Sequence, residues 1–370
     1  MRFLFKDPSF KLSSYTQKFT ISFLSMGFLC ALAPNSYSKA TQPIPPATNS
    51  ATDNSSANVT QSTSSTTAPP ADTAVSILDI QRYTGSLLSP SGAVTEAGAL
   101  MIEPYFQSTI SRGAYQANGS VKNNKHRTDS ANTFILFKYG ITNNLSVQIT
   151  PQVYYYWNGR TTSSTVHFSD LPVELQYRWI DQNNKKYIPS LTTYLGMNFP
   201  TGDYTNLGRA LDSAGTGSYA LRFGLQSQAA YDIDNHALRV RLWGVARKPL
   251  TSANIKGISS YGTDGDYRGN AKSGLFGNWG FSLEYGITDE WVLAFDYQYD
   301  WGKGTRMRGA YGGGQFERYV TGAYHDIQIA PAIEYNWSPL FGVIVGAAVT
   351  VDGHNTNDFV QPQFAINMVF

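Results

Sequence analysis

The sequence predicts an all-β protein: a single transmembrane antiparallel β-barrel of about 12 strands behind a disordered N-terminal segment. Three observations carry this. From about Gly98 to Phe370, apolar and polar residues alternate with a period of two. The turn signals between those runs are alternately short and long. Every second run ends in an aromatic residue.

The bulk composition is consistent with this and excludes other classes. The chain has 370 residues, a net charge of +2 and only 15% charged residues, with 33 Gly, 24 Tyr and 20 Phe. A helical membrane protein would carry apolar runs of about 20 residues, and none follows the N-terminus. The mean hydropathy of −0.27 does not argue against a barrel, because lipid-facing and lumen-facing residues cancel in any window. No basic cluster or nucleic-acid motif is present, so no nucleic-acid partner is expected.

Residues 1–40 read as a signal peptide. Arg2, Lys6, Lys11 and Lys18 form the basic region, "FTISFLSMGFLCALA" the apolar core, and "SKA" (38–40) the cleavage residues. The only cysteine, Cys30, lies in that core, so the mature chain has no thiol chemistry. Leu29 before it is wrong for a lipoprotein cleavage site. Residues 41–74 are rich in Ser, Thr, Pro and Asn, and bury too little apolar surface to offset ordering entropy. Residues 75–97 form a short pre-barrel segment. In "VSILDIQRYTGSLL", Ile77, Leu78, Ile80, Tyr83, Leu87 and Leu88 suit one stripe of a short helix, which is either a plug at the barrel mouth or a linker.

The barrel is expected over 98–370, with strands near 98–110, 130–140, 145–157, 168–180, 187–199, 217–232, 237–248, 273–286, 291–301, 323–337, 341–351 and 358–370. In "LSVQITPQVYY", Leu145, Val147, Ile149, Pro151, Val153 and Tyr155 face one way; Ser146, Gln148, Thr150, Gln152, Tyr154 and Tyr156 face the other. The short connections are "GITNN", "DQNNKK", "DIDN", "GITDE" and "SPL"; the long ones cover 111–129, 158–167, 200–216, 249–272, 302–322 and 352–357. Short turns at one end and long loops at the other are the pattern of an outer-membrane barrel. Two turns share the motif "YGIT", where Gly140 and Gly286 are expected to supply positive φ.

Tyr139, Trp179, Tyr231, Tyr285, Trp337 and Phe370 close the strands that run down to short turns, marking the inner interface. The outer girdle is patchier: Tyr155, Trp157, Phe199, Tyr299 and Trp301. The last strand, "PQFAINMVF", alternates to the terminal Phe370 and resembles the closing strand that the barrel-assembly machinery reads as its signal. Pro104, Pro151, Pro189, Pro331 and Pro362 fall inside expected strands, where bulges or interface positions should accommodate them.

"TEAGALMIEPYFQST", "YGITNNLSVQITPQ", "DLPVELQYRW" and "PSLTTYLGMNFPTGDY" together resemble the outer-membrane family named after the meta pathway of phenol degradation, over about 95–370. The resemblance implies a barrel for passage of small compounds, aromatic or hydrophobic ones among them. The long Ser/Thr-rich N-terminal segment is not something a compact barrel needs.

The lumen is where function is expected. Alternation points Arg178, Arg222, Arg239, Arg241 and Arg247 inward on the fourth, sixth and seventh strands. It points Glu284, Asp296, Asp300, Asp326 and Glu334 inward on the eighth to tenth. Such walls either set a transverse field along a solute path or pair and fill the lumen. A hydrolase would need a Ser–His pair with an orienting group. Of His126, His167, His236, His325 and His354, only His167 has serine neighbours, Ser164 and Ser169, and a surface polar cluster explains these better. No catalytic, metal or cofactor residue is expected.

The reading is a passive channel for small solutes in the Gram-negative outer membrane, reached through the periplasm. Its partners are outer-membrane lipids and, during biogenesis, the assembly machinery. A non-conducting structural or adhesive barrel is the alternative, and a hydrolase a distant one.

Overall fold

A computed structural model describes residues 76–91, 94–123, 127–183, 188–312, 314 and 316–370. The expected signal peptide and linker, Cys30 and His126 lie outside the described residues.

Twelve antiparallel strands form one closed barrel. They are β1 (Leu100–Tyr115), β2 (Thr128–Thr142), β3 (Leu145–Ile149 with Gln152–Asn158), β4 (Leu171–Ile180), β5 (Ser190–Phe199) and β6 (Ala220–Ile233). The rest are β7 (His236–Pro249), β8 (Phe276–Gly286), β9 (Trp291–Gly302), β10 (Tyr324–Ser338), β11 (Phe341–His354) and β12 (Thr356–Val369). Each pairs with its neighbours in sequence, and β12 returns to β1 with Phe106 opposite Phe364. Closure leaves no edge, as a span through lipid requires.

The alternation is that of a membrane barrel. Polar Ser146, Gln176, Thr192 and Ser282 are buried, while apolar Leu195, Phe223, Leu242 and Val345 are exposed. The aromatic strand ends Tyr139, Trp179, Tyr285, Trp337 and Phe370 are exposed in the same way. Several cluster: Tyr177 meets Trp179 edge-on, and Trp337 touches Tyr335 and Phe341.

The prolines are accommodated more economically than by bulges. At Pro104, Pro331 and Pro362 the ladder lapses toward one neighbour only, and the register is the same on either side of the lapse. The other side stays paired: Pro104 with Ile135, Pro331 with Phe295, Pro362 with Ala347. A residue in an antiparallel strand donates its N–H to one neighbour, so a proline costs one bond. Pro151 separates the two halves of β3, and Pro189 precedes β5.

Three expectations are corrected. The loop expected at 352–357 is strand apart from Asn355: Asp352, Gly353 and His354 pair with β10, and Thr356 and Asn357 with β1, while Asn355 turns the chain at φ 51°, a conformation asparagine tolerates. Gly140 and Gly286 are not the positive-φ residues of their turns; both lie in strands, and the left-handed pair Asp234 and Asn235 (φ 52° and 62°) belongs to a different turn, between β6 and β7. What turns the "YGIT" chains is threonine: Thr142 Oγ1 accepts from Asn144 N–H (3.2 Å), and Thr288 Oγ1 from Trp291 N–H (3.1 Å). Third, two of the long connections are ordered into a four-stranded sheet of their own.

Candidate functional site: the lumen and its internal segment

The segment before β1 enters the barrel from the short-turn rim over residues 81–91 and returns to the start of β1 over 94–99. Their entry is fixed by Gln81, whose Nε2 donates to Thr288 O (3.1 Å), and by Arg82, whose guanidinium donates to Trp337 O (3.2 Å). Their exit is fixed by Thr95 N–H on Ser146 Oγ (2.9 Å) and Ala97 N–H on Asn143 Oδ1 (3.1 Å).

The glycines of the two "YGIT" motifs sit at these two crossings. A Cβ on Gly286 would lie 1.9 Å from Gln81 Oε1, and one on Gly140 would lie 1.8 Å from Glu96 O. Glycine is needed there for close approach rather than for backbone twist. The repeated motif therefore combines a threonine-capped reversal with a seat for the segment.

Between the crossings the segment is held by lumen charges. Asp296 accepts from Ser86 Oγ (2.5 Å), Leu87 N–H (2.9 Å) and Leu88 N–H (3.2 Å). Glu334 accepts from Thr84 N–H (2.6 Å). Arg241 donates to Ser89 Oγ (2.5 Å), and Lys138 Nζ to Ser91 Oγ and O (2.9 Å each). Leu87 packs into the buried apolar cluster with Met101, Tyr105 and Ile344. A segment without secondary structure would leave its backbone unsatisfied inside a barrel, and the inward carboxylates and cations supply the missing partners.

The predicted lumen residues fall into four groups. Asp296, Glu334 and Arg241 hold the segment. Arg239 and Arg222 pair within the wall: Arg239 binds Glu284 with two bonds of 2.5 Å, and Arg222 lies 2.8 Å from Glu174. Arg241 adds a longer 3.5 Å contact to Glu284. Arg247, Asp300 and Asp326 lie nearer the long-loop end; Arg247 donates to Asn278 (3.3 Å), and Asp300 and Asp326 accept from Gln328 (3.0 and 2.8 Å). Arg178 sits at the short-turn rim, bound to Asp181 (2.6 Å) and Asn143 O (2.8 Å). The charges thus meet laterally or through the segment rather than as two opposed walls. Lys138 and Glu103, both buried inward, were not singled out from the sequence although alternation on β1 and β2 points them there.

Two cavities flank the segment. One of about 210 Å³ is lined by Leu87, Leu88, Tyr105, Phe134, Arg222 and Arg247 among others. Tyr105 and Phe134 stack at 4.4 Å across β1 and β2. The other, of about 170 Å³ and nearer the short-turn end, is bordered by Tyr83, Glu103, Arg239 and Arg241.

The serine–histidine pair lies in the outer loops. His167 Nδ1 is 2.7 Å from Asp203 Oδ2, and its Nε2 is 3.3 Å from Ser164 Oγ. That Nε2 is also 3.1 Å from Asp212 Oδ1, which accepts from Ser164 N–H (2.7 Å). Ser169 makes no hydrogen bond to His167; its N–H donates to Gln152 O. A base must accept the serine proton at Nε2, whereas Asp212 favours a proton on that nitrogen. Among the described residues no group of metal ligands is present.

Residues 55–237 match the model of the family described as "Putative MetA-pathway of phenol degradation". Over that span the chain is similar to this family. The match ends in β7, short of the resemblance expected over about 95–370. No curated protein matches the sequence. Among solved structures, an outer membrane channel from Pseudomonas putida F1 is similar at 13% identity, with a TM-score of 0.57, covering 76% of this chain and all of that one. The transport unit of the autotransporter AIDA-I from Escherichia coli has 13% identity and a TM-score of 0.41, covering 78% and 95%. The CymD monoaromatic hydrocarbon channel has 8% identity and a TM-score of 0.35, covering 75% and 89%. The first of these establishes a shared outer-membrane barrel fold.

Proposed function

We infer that the chain is an outer-membrane channel for small solutes whose passage is governed by the internal segment. The observation that carries this is the set of hydrogen bonds that Asp296 and Glu334 accept from residues 84–88 and that Arg241 and Lys138 donate to Ser89 and Ser91. A barrel built only for rigidity fills its lumen with its own side chains. Here a separate stretch of chain is held by polar bonds and leaves cavities beside it, so it can leave without breaking the wall. The larger cavity joins stacked aromatics and leucines to two guanidiniums, which suits small amphipathic aromatic solutes. An apolar cavity of roughly 150 Å³ takes a benzene. The family's description, phenol degradation, agrees with that class.

The chain reaches its membrane by export with cleavage near residue 40, and Phe370 serves the assembly machinery. It is not a hydrolase: the imidazole between Asp203 and Asp212 acts as a clamp joining loops 158–167 and 200–216. Liposome swelling tests the reading. Proteoliposomes should admit small phenolic solutes faster than sugars of equal mass; swelling no faster than in protein-free vesicles for every solute would refute it. Any ester hydrolysis by the pure protein that is abolished in His167→Ala would restore the enzymatic alternative.

A further inference from the structure

The connections after β7 and β9 carry the separate sheet. Its strands run Ala253–Lys256, Arg268–Lys272, Arg306–Ala310 and Glu317–Val320, in that order. One face is apolar: Ala253, Ile255, Ala271 and Met307 are buried around Tyr267 and against Tyr204 and Tyr261. The other face exposes six cations, Lys256, Arg268, Lys272, Arg306, Arg308 and Arg318. The pairing sets Lys256 opposite Arg268, Lys272 opposite Arg306, and Arg308 opposite Arg318.

Like charges directly opposite each other destabilise a sheet, and here three such pairs lie side by side. Among the described residues, none of the six takes part in an ion pair. The face is also concave: a cavity of about 380 Å³ is lined by Ser252, Asn270, Lys272, Arg306 and Arg308. Among the described residues no carboxylate relieves this repulsion, and an external anion would. Guanidinium forks match phosphate oxygens bidentately.

The site's position selects the source of the phosphate. Lys272 lies four residues before β8 and Arg306 four residues after β9. At ~3.3 Å per residue, the nearest row stands within about 13 Å of the barrel rim. That is the layer in which outer-leaflet headgroups lie. We propose that this face binds the phosphate groups of an outer-leaflet glycolipid, the phosphorylated saccharide of lipopolysaccharide. The site is independent of whether the lumen conducts.

The test uses the full chain in detergent micelles, with immobilised lipopolysaccharide before and after enzymatic removal of its phosphates. Each basic residue near an anionic surface is worth roughly fivefold in affinity. The triple variant Lys272→Gln, Arg306→Gln, Arg308→Gln should therefore bind about a hundredfold more weakly. Dephosphorylation should weaken the parent comparably, and binding should fall with added salt. Because the substitutions relieve repulsion, the variant should melt no lower than the parent. If the triple variant does not assemble, Arg308→Gln alone decides, with an expected loss of about fivefold. Equal binding of phosphorylated and dephosphorylated lipopolysaccharide, equal binding of parent and variant, or tighter binding of phosphate-free polygalacturonate would overturn the proposal.

Discussion

Replacing Asp296 with alanine should free the internal segment. The carboxylate accepts three hydrogen bonds from residues 86–88, two of them from backbone N–H groups. Hydrogen bonds to a charged group are worth about 1.5–3 kcal/mol each. Removing a buried carboxylate also removes its desolvation cost, so the sum is an upper bound. A net loss of about 3 kcal/mol, or roughly a hundredfold in the docked-to-undocked ratio, is the resulting expectation. Trypsin can read this ratio. Between Lys39 and Arg82 the chain has no lysine or arginine, and Arg82 is tied to the rim by its bond to Trp337 O. Cleavage after Arg82 should rise about a hundredfold in the variant if undocking is fast relative to cleavage. Asp300→Asn is the control, since Asp300 binds Gln298 and Gln328 rather than the segment. Equal cleavage of parent and Asp296→Ala would refute the assignment of Asp296 as the anchor.

Four further outcomes are expected. Gly286→Val drives a branched side chain into the place of Gln81, so cleavage at Arg82 should increase while the folded barrel keeps its electrophoretic mobility in unheated detergent. Arg239→Ala leaves Glu284 with the longer Arg241 contact as its remaining ion pair among the described residues, and urea unfolding should report a loss of about 3–5 kcal/mol. Deleting Phe370 should lower the fraction of chain that reaches the folded, membrane-inserted form, read as heat-modifiable protein in outer-membrane fractions. Burial pushes the Asp212 carboxyl up, but hydrogen bonds from Ser164 and the charge of His167 outweigh it and hold the carboxyl below the ordinary aspartate value. Its contribution to the outer-loop clamp is therefore full above about pH 4 and lost as pH falls through the lowered value; hydrogen exchange in residues 158–167 should accelerate on that acid side only.

The barrel was legible because one face of every strand meets lipid and the other does not. That contrast writes a period of two into residues such as Leu145, Val147 and Ile149 against Ser146 and Gln148, and the strand ends fell within a few residues. The internal segment was much less so. Its hold on the wall comes from Thr84, Ser86, Ser89 and Ser91, whose partners lie tens to hundreds of residues away and follow no period. Gly140 and Gly286 were visible as a repeat, but a glycine needed for close approach reads the same as one needed for a turn. The outer sheet was hidden for another reason: its strands are only four or five residues long and are separated by Gly- and Asp-bearing stretches such as 257–267, so the two long connections read as loops. The Arg239–Glu284 pair could be anticipated as inward on each strand, yet only the register shows that the two residues are directly opposed.

If the segment within the barrel controls passage, a crosslink that holds it there closes the channel. Ser86 Oγ and Ser282 Oγ lie 3.0 Å apart, one on the segment and one on the wall. The only native cysteine, Cys30, belongs to the expected signal peptide, so the double substitution Ser86→Cys, Ser282→Cys places a single crosslink. Single-channel recordings in planar bilayers should show the oxidised protein closed and the reduced protein opening to currents like the parent's. Identical currents before and after reduction, with the crosslink verified by mass, would contradict the claim.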